Sequence, residues 1–147
     1  MDYYSAFEIS ASGMSLERVR LDILAQNLAN ANTTRTEDGG VYRPLRVLSH
    51  AKDTTNFHTH MNNLIQSAGY PGGVEITEIV PQEGEPRLVF EPEHPHANND
   101  GFVSYPNINP VSEMVTLIEA VRSYEANVRA LNAAKSMALS ALEIGKQ

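Results

Sequence analysis

At 147 residues with no cysteine, the chain has room for one ordinary domain and its core, and none for disulfides, thiolate catalysis or a cysteine-ligated zinc. Its formal charge is −7, with 18 acids against 11 bases and no run of Lys or Arg along one line, which argues against a nucleic-acid backbone or an anionic membrane surface as partner. The acids gather in the middle: residues 1–32 hold 4 acids and 2 bases, residues 33–105 hold 10 and 5, and residues 106–147 hold 4 and 4.

The first element predicted is a helix. Phe7, Ala11, Met14, Leu21, Ala25 and Leu28 keep helical spacing with Arg18 falling on the same line, and Ile9, Leu16 and Ile23 form a second line beside it. Ser5 and Glu8 have the spacing of a capping box, with Asp2 as an earlier cap. Gly13 interrupts the run and costs about 1 kcal/mol against alanine, so packing has to hold this helix. The pattern fades at Asn30-Ala31-Asn32-Thr33-Thr34, where side chains compete for backbone hydrogen bonds.

Residues 33 to 105 carry strand and turn signals instead. Asp38-Gly39-Gly40 marks a turn before a strand over 41–48, in which Pro44 lacks a donor and so predicts an edge or bulged strand. Val74 to Val80 and Arg87 to Glu91 are bounded by Gly and Pro and predict two more strands. Asn98-Asn99-Asp100-Gly101 predicts a turn into a strand at Phe102-Val103-Ser104-Tyr105. Residues 49–72 are polar and weakly patterned, which predicts a surface excursion with at most a short helix near Met61, Leu64, Ile65 and Ala68.

The last quarter carries the clearest pattern. Met114, Leu117, Val121, Tyr124, Val128, Leu131, Ala138 and Leu142 step by three and four, with Lys135 on the same line, which is a heptad seam. Asn109-Pro110 supplies a cap and a proline at the first helical position, Glu113 lies in the favourable first turn, and Gly145 suits the end. A helix from Pro110 to Ile144 spans roughly 50 Å, too long to hide one apolar stripe inside so small a domain. The chain is therefore built to associate. Its expected fold is mainly α with a β-rich insert: residues 1–32 with 106–147 form an antiparallel coiled-coil domain, and residues 33–105 form the insert.

Catalytic and metal chemistry find little purchase. His58-Thr59-His60 and His94-Pro95-His96 could each offer two imidazoles to one ion, but nothing supplies further ligands, and both pairs are expected in surface loops. Glu75, Glu78, Glu83, Glu85, Glu91 and Glu93 have the spacing of a solvated acidic face. Gly39-Gly40 and Gly72-Gly73 lack the following helix of a phosphate loop, so no catalytic residue, cofactor or metal is expected.

Several stretches resemble the bacterial flagellar rod and hook family, and most closely its proximal rod members. They are Asn27-Leu28-Ala29-Asn30-Ala31-Asn32-Thr33, Pro106-Asn107-Ile108-Asn109-Pro110-Val111-Ser112-Glu113-Met114-Val115, and Arg122-Ser123-Tyr124-Glu125-Ala126-Asn127-Val128 with Leu131-Asn132 and Ala134-Lys135-Ser136-Met137. Tyr42-Arg43-Pro44, Leu88-Val89-Phe90-Glu91-Pro92 and Gly101-Phe102-Val103 resemble the middle of the same proteins. The resemblance implies a structural subunit of the basal-body rod, assembling into a helical tube that transmits torque, encloses the export channel and crosses the periplasm. It implies export through the flagellar type III apparatus without a cleaved signal. This fits a chain whose first twenty residues lack a basic start, an apolar block and a small-residue cleavage site, and in which no run reaches a membrane span. The partners implied are other copies of the chain, the companion rod proteins FlgB, FlgF and FlgG, and the basal-body protein FliE, with no nucleic acid and no small-molecule substrate. The apolar lines, with Asn30, are then the expected assembly residues. A soluble coiled-coil adaptor or chaperone forming a closed oligomer is the alternative that the stripes alone permit, and a glycan-cleaving enzyme is a third.

Overall fold

The computed structural model describes residues 3–37, 39–52 and 72–145. Helix α1 runs Tyr3–Ala29 and helix α2 runs Pro110–Ile144, with the short strands β1 (Leu45–Ala51), β2 (Val74–Pro81), β3 (Arg87–Phe90) and β4 (Phe102–Tyr105) between them. Mainly α with a small β insert is thus the observed architecture. The expected Met61–Ala68 helix and His58 and His60 lie outside the described residues.

The start of α2 is set by its cap. Asn109 Oδ1 accepts from the amides of Val111 at 3.0 Å and Ser112 at 3.4 Å, while Pro110 occupies the first helical position, where a missing N–H costs nothing. Glu113 sits in the first turn as expected. At the far end the Gly145 N–H closes a bond to Ala141 O at 3.2 Å, without the left-handed backbone of a glycine cap.

Of the two caps expected for helix α1, Asp2 lies outside the described residues and Ser5 is not used. The helix has already begun at Tyr3, so Ser5 lies within the first turn instead of capping it, and Glu8 pairs with Lys52 Nζ at 3.1 Å. The end of α1 is held by side chains: Asn30 Nδ2 donates to Gln26 O at 2.9 Å, and Thr33 Oγ1 donates to Asn30 Oδ1 at 3.1 Å. The fading of the helical pattern at Asn30 is therefore a polar cap built from the same residues.

The strands make two separate two-stranded ribbons, β1 with β2 and β3 with β4. Lys52 N–H donates to Gly73 O at 2.9 Å at one end of the first ribbon and Gln82 N–H to Pro44 O at 2.7 Å at the other, so β1 and β2 are antiparallel. Strand β1 starts one residue after Pro44 and continues to Ala51, so residues 49–51 of the expected excursion belong to the ladder. The β3–β4 hairpin pairs Arg87 with Tyr105 and Phe90 with Phe102. Its turn is nucleated by Asn98, whose Oδ1 accepts from the amides of Asp100 at 3.0 Å and Phe102 at 2.9 Å. Gly101 completes the turn at φ +82, where a Cβ would strike the Phe90 ring.

The chain divides into two packed units, and each takes one part of each helix. One comprises Met1–Arg18, Ser49–Thr77 and Val121–Gln147, the other Val19–Leu48 and Glu78–Ala120. Opposite ends of α1 and α2 meet in each unit, which is the order of an antiparallel pair. In the first unit Gly13 lies against Asn127: a Cβ there would stand 2.8 Å from Asn127 Nδ2. The glycine that weakens α1 thus makes room for a side chain of α2.

Buried positions on α1 are Ser10, Leu16, Glu17, Leu24 and Asn27, followed by Ala31 just beyond it. Ser10, Glu17, Leu24 and Ala31 keep a heptad spacing, displaced from the apolar line at Phe7, Met14, Leu21 and Leu28. On α2 the buried positions are Ala120 and Ala134, two heptads apart, where small side chains permit close approach. Val103 and Pro106 are the large side chains most completely enclosed, and both belong to the second unit.

Candidate assembly site

No cluster of catalytic groups forms among the described residues. The best-defined cleft, about 200 Å³ in the second unit, is lined by Val41, Tyr42, Pro44, Pro86 and Pro106, with Arg43 and Glu83 as its charged members. The acidic side chains at Glu75, Glu78, Glu83, Glu85 and Glu93 are exposed. Glu91 accepts a 3.0 Å hydrogen bond from Tyr105, and that bond first, with desolvation and the carboxylate charge after it, raises the Tyr105 phenol above its ordinary value. His94 Nδ1 accepts the His96 N–H at 3.1 Å and His96 Nδ1 meets Thr34 Oγ1 at 2.8 Å, so these imidazoles order a loop. Among the described residues no three His, Asp or Glu side chains converge on a metal position. None of the described helices is long and apolar enough to cross a membrane.

What the structure does present is apolar helix surface. Of the residues predicted for assembly, Met114, Val121, Tyr124 and Leu142 on α2 are exposed, while Leu117, Val128 and Leu131 are half-buried. On α1, Phe7, Met14, Leu21 and Leu28 are half-buried, as is Asn30 just beyond it, and Ala11 and Ala25 are exposed. None of them is enclosed by the chain. Further apolar side chains extend the surface along α2, from Val111 at 70% exposure through Val115 and Ile118 to Met137, Leu139 and Ile144 at 78%. Leaving so many large apolar side chains in water marks a surface for association.

The second feature is a polar junction in the second unit. Asn27 is only 2% exposed, yet every polar atom of its side chain is engaged. Nδ2 donates to Leu45 O at 2.9 Å, and Oδ1 accepts from Leu45 N at 2.8 Å and from Tyr42 Oη at 3.0 Å. The amide thus pairs with both backbone groups of Leu45, as a neighbouring strand would, at the residue where β1 begins. Burial, and after it the Glu113 carboxylate, raises the Tyr42 phenol above its ordinary 10.0, so Tyr42 stays a donor. In the first unit Ser12 does a smaller version of this, accepting from Val74 N at 3.1 Å while donating to Ile9 O at 2.8 Å.

Asn27 lies within the motif Asn27–Thr33 but is not among the expected assembly residues. The available signal was an amide on a helix row otherwise held by Leu24 and Ala31.

So large an apolar helix surface left in water defines the class of proteins that associate with other subunits. Comparison with known proteins agrees. Residues 7–35 match the family described as flagella basal body rod protein, and residues 99–144 match the flagellar basal body rod FlgEFG protein C-terminal family. The chain is 39% identical over 150 residues to the flagellar basal-body rod protein FlgC of Bacillus subtilis (strain 168), covering 99% of this chain and all of that protein. It is 34% identical to the FlgC of Borreliella burgdorferi, over 98% of each chain, and 34% identical to that of Salmonella typhimurium, over 99% of this chain and all of the other. The chain belongs to the FlgC family of flagellar basal-body rod proteins, and it is a structural rod subunit.

Proposed function

We propose that this subunit builds the proximal part of the rod, polymerising with other copies of itself and with FlgB, FlgF, FlgG and FliE into a helical tube that carries torque and surrounds the export channel. In this reading residues 1–32 and 106–147 act as the helical domain, and residues 33–105 as the insert they carry. The carrying observation is the exposed apolar line of α2, from Val111 and Met114 to Leu142 and Ile144. Apolar ridges on different sides of one subunit make head-to-tail contacts that do not close, and repetition of such a contact with a rise gives a tube. Met14, Leu21 and Leu28 on α1 take part from the other helix. The subunit works by shape and adhesion and not by catalysis. It reaches the periplasm through the flagellar type III apparatus without loss of a signal segment.

The test is complementation. A motile bacterium deprived of its own FlgC-family subunit and given this chain is expected to recover swimming, with the chain co-purifying with its basal bodies. A chain that purifies only as a closed oligomer of fixed stoichiometry, and never with basal bodies, would favour the adaptor reading instead.

A further inference from the structure

The geometry points to Asn27 as a positioning residue: its side-chain amide fixes the direction in which strand β1 leaves helix α1, and so couples the insert to the helical core when the rod turns. This rests on the rod reading above. Three observations in one unit carry it. Both faces of the amide are used on a single residue, Leu45, through bonds of 2.9 and 2.8 Å. Because an amide is planar, two such bonds on one residue are satisfied together only over a narrow range of angles. The third bond, from Tyr42 Oη at 3.0 Å, holds the chain three residues before Leu45 and limits rotation about the amide.

The choice of residue is informative. Asn27 stands in a buried row with Leu24 and Ala31 on either side. An apolar side chain there would bury more greasy surface and would still permit sliding. A buried amide adds little net stability but admits one arrangement, as polar residues in apolar seams do when they set register. The neighbouring Asn30 and Thr33 close the helix end immediately afterwards, so the strut stops at the joint. Twist applied to the helices thus passes to β1 through directional bonds.

The experiment uses the full chain, which has no cysteine of its own, so that spin labels can be placed by Asp22→Cys on α1 and Glu78→Cys on β2, both exposed and both in the second unit. Pulsed EPR on the otherwise unaltered chain is expected to give one narrow distance peak. Asn27→Ala is expected to lose that single peak, with helix content by circular dichroism retained. Asn27→Asp, which keeps both acceptor contacts but sets oxygen against Leu45 O, is expected to shift it. Should Asn27→Ala fail to fold, Tyr42→Phe removes one bond of the three, and a broadened peak in that folded variant supports the joint. A peak that stays narrow and unmoved in any folded variant lacking these bonds overturns it. In cells, Asn27→Ala rods are expected to contain the subunit in normal amount yet to support slower swimming under viscous load. Normal speed would count against coupling. Failure of the unaltered chain to restore any rod would sink the rod reading while leaving the distance measurement to decide the joint.

Discussion

The junction at Asn27 and the outer face of α2 handle their side chains in opposite ways. At the junction, a fully buried amide and a half-buried phenol are satisfied inside the chain by three directional bonds. Along α2, Val111, Met114, Ile118 and Leu142 are left half or more exposed. Polar groups that demand geometry are settled within the subunit, whereas apolar groups that demand only dryness are left to whatever subunit arrives. A folded monomer and an assembled tube are then stabilised by different residues, and substitutions should separate the two.

The sharpest break is the pair Val121→Asp and Leu131→Asp. Each places a carboxylate on the α2 seam, where covering it without a partner costs about 3 kcal/mol or more, on the order of a hundredfold in occupancy. Incorporation into basal bodies and swimming are expected to be lost while helix content by circular dichroism is retained, since Val121 is already 37% exposed in the lone chain. Normal motility in the double variant would remove the basis for the contrast.

Next in size is Gly73→Ala, which acts inside the fold. Gly73 has φ +101, and a Cβ there would collide with Ser12 Oγ and stand 3.4 Å from Ile9 Cα, beside the hydrogen bond that ties Val74 to Ser12. The expected loss is about 2 kcal/mol in denaturant unfolding, from strain and the displaced hydroxyl together. A smaller effect tests the meeting of Gly13 with Asn127. Gly13→Ala alone should gain little, because the new methyl must push Asn127 aside. In an Asn127→Ala background the same change should yield the helix-propensity gain of about 1 kcal/mol, and the double-mutant cycle measures the difference.

The smallest effect is set by pH. Because the folded-state phenol of Tyr42 lies above its ordinary 10.0, it is neutral in folded and unfolded chains below that value, and its contribution is fully present there. Stability should fall as pH rises past 10.0 towards the folded value, and Tyr42→Phe should flatten that part of a pH series of urea midpoints.

The secondary structure was largely written in local signals. Asn109-Pro110 fixed the start of α2 and Asn98 to Gly101 the hairpin turn, because in each case one or two residues restrict their own backbone; the strand expected over 41–48 instead begins after Pro44, which cannot donate to a ladder. The face of each helix that the chain covers was only partly legible. Of the two apolar lines, the one through Met14 and Leu21 stays half-buried and the second contributes Leu16 to the core, where it joins Leu24 and the polar Ser10, Glu17 and Asn27. Periodicity records every surface that will ever be dry, within the subunit or between subunits, and cannot say which comes first. The capping spacing of Ser5 and Glu8 is not used, because Glu8 faces Lys52, 44 residues away. The junction was illegible for the same reason: Asn27 is 18 residues from Leu45, and nothing local in the sequence reports on that meeting.

The cap on α2 carries one more consequence. Asn109 and Pro110 allow the helix a single starting residue, and from there 35 residues at about 1.5 Å each set how far its last apolar turn stands from its first. Every copy of the chain therefore carries the same length of apolar helix between those two turns, fixed by Asn109 and Pro110.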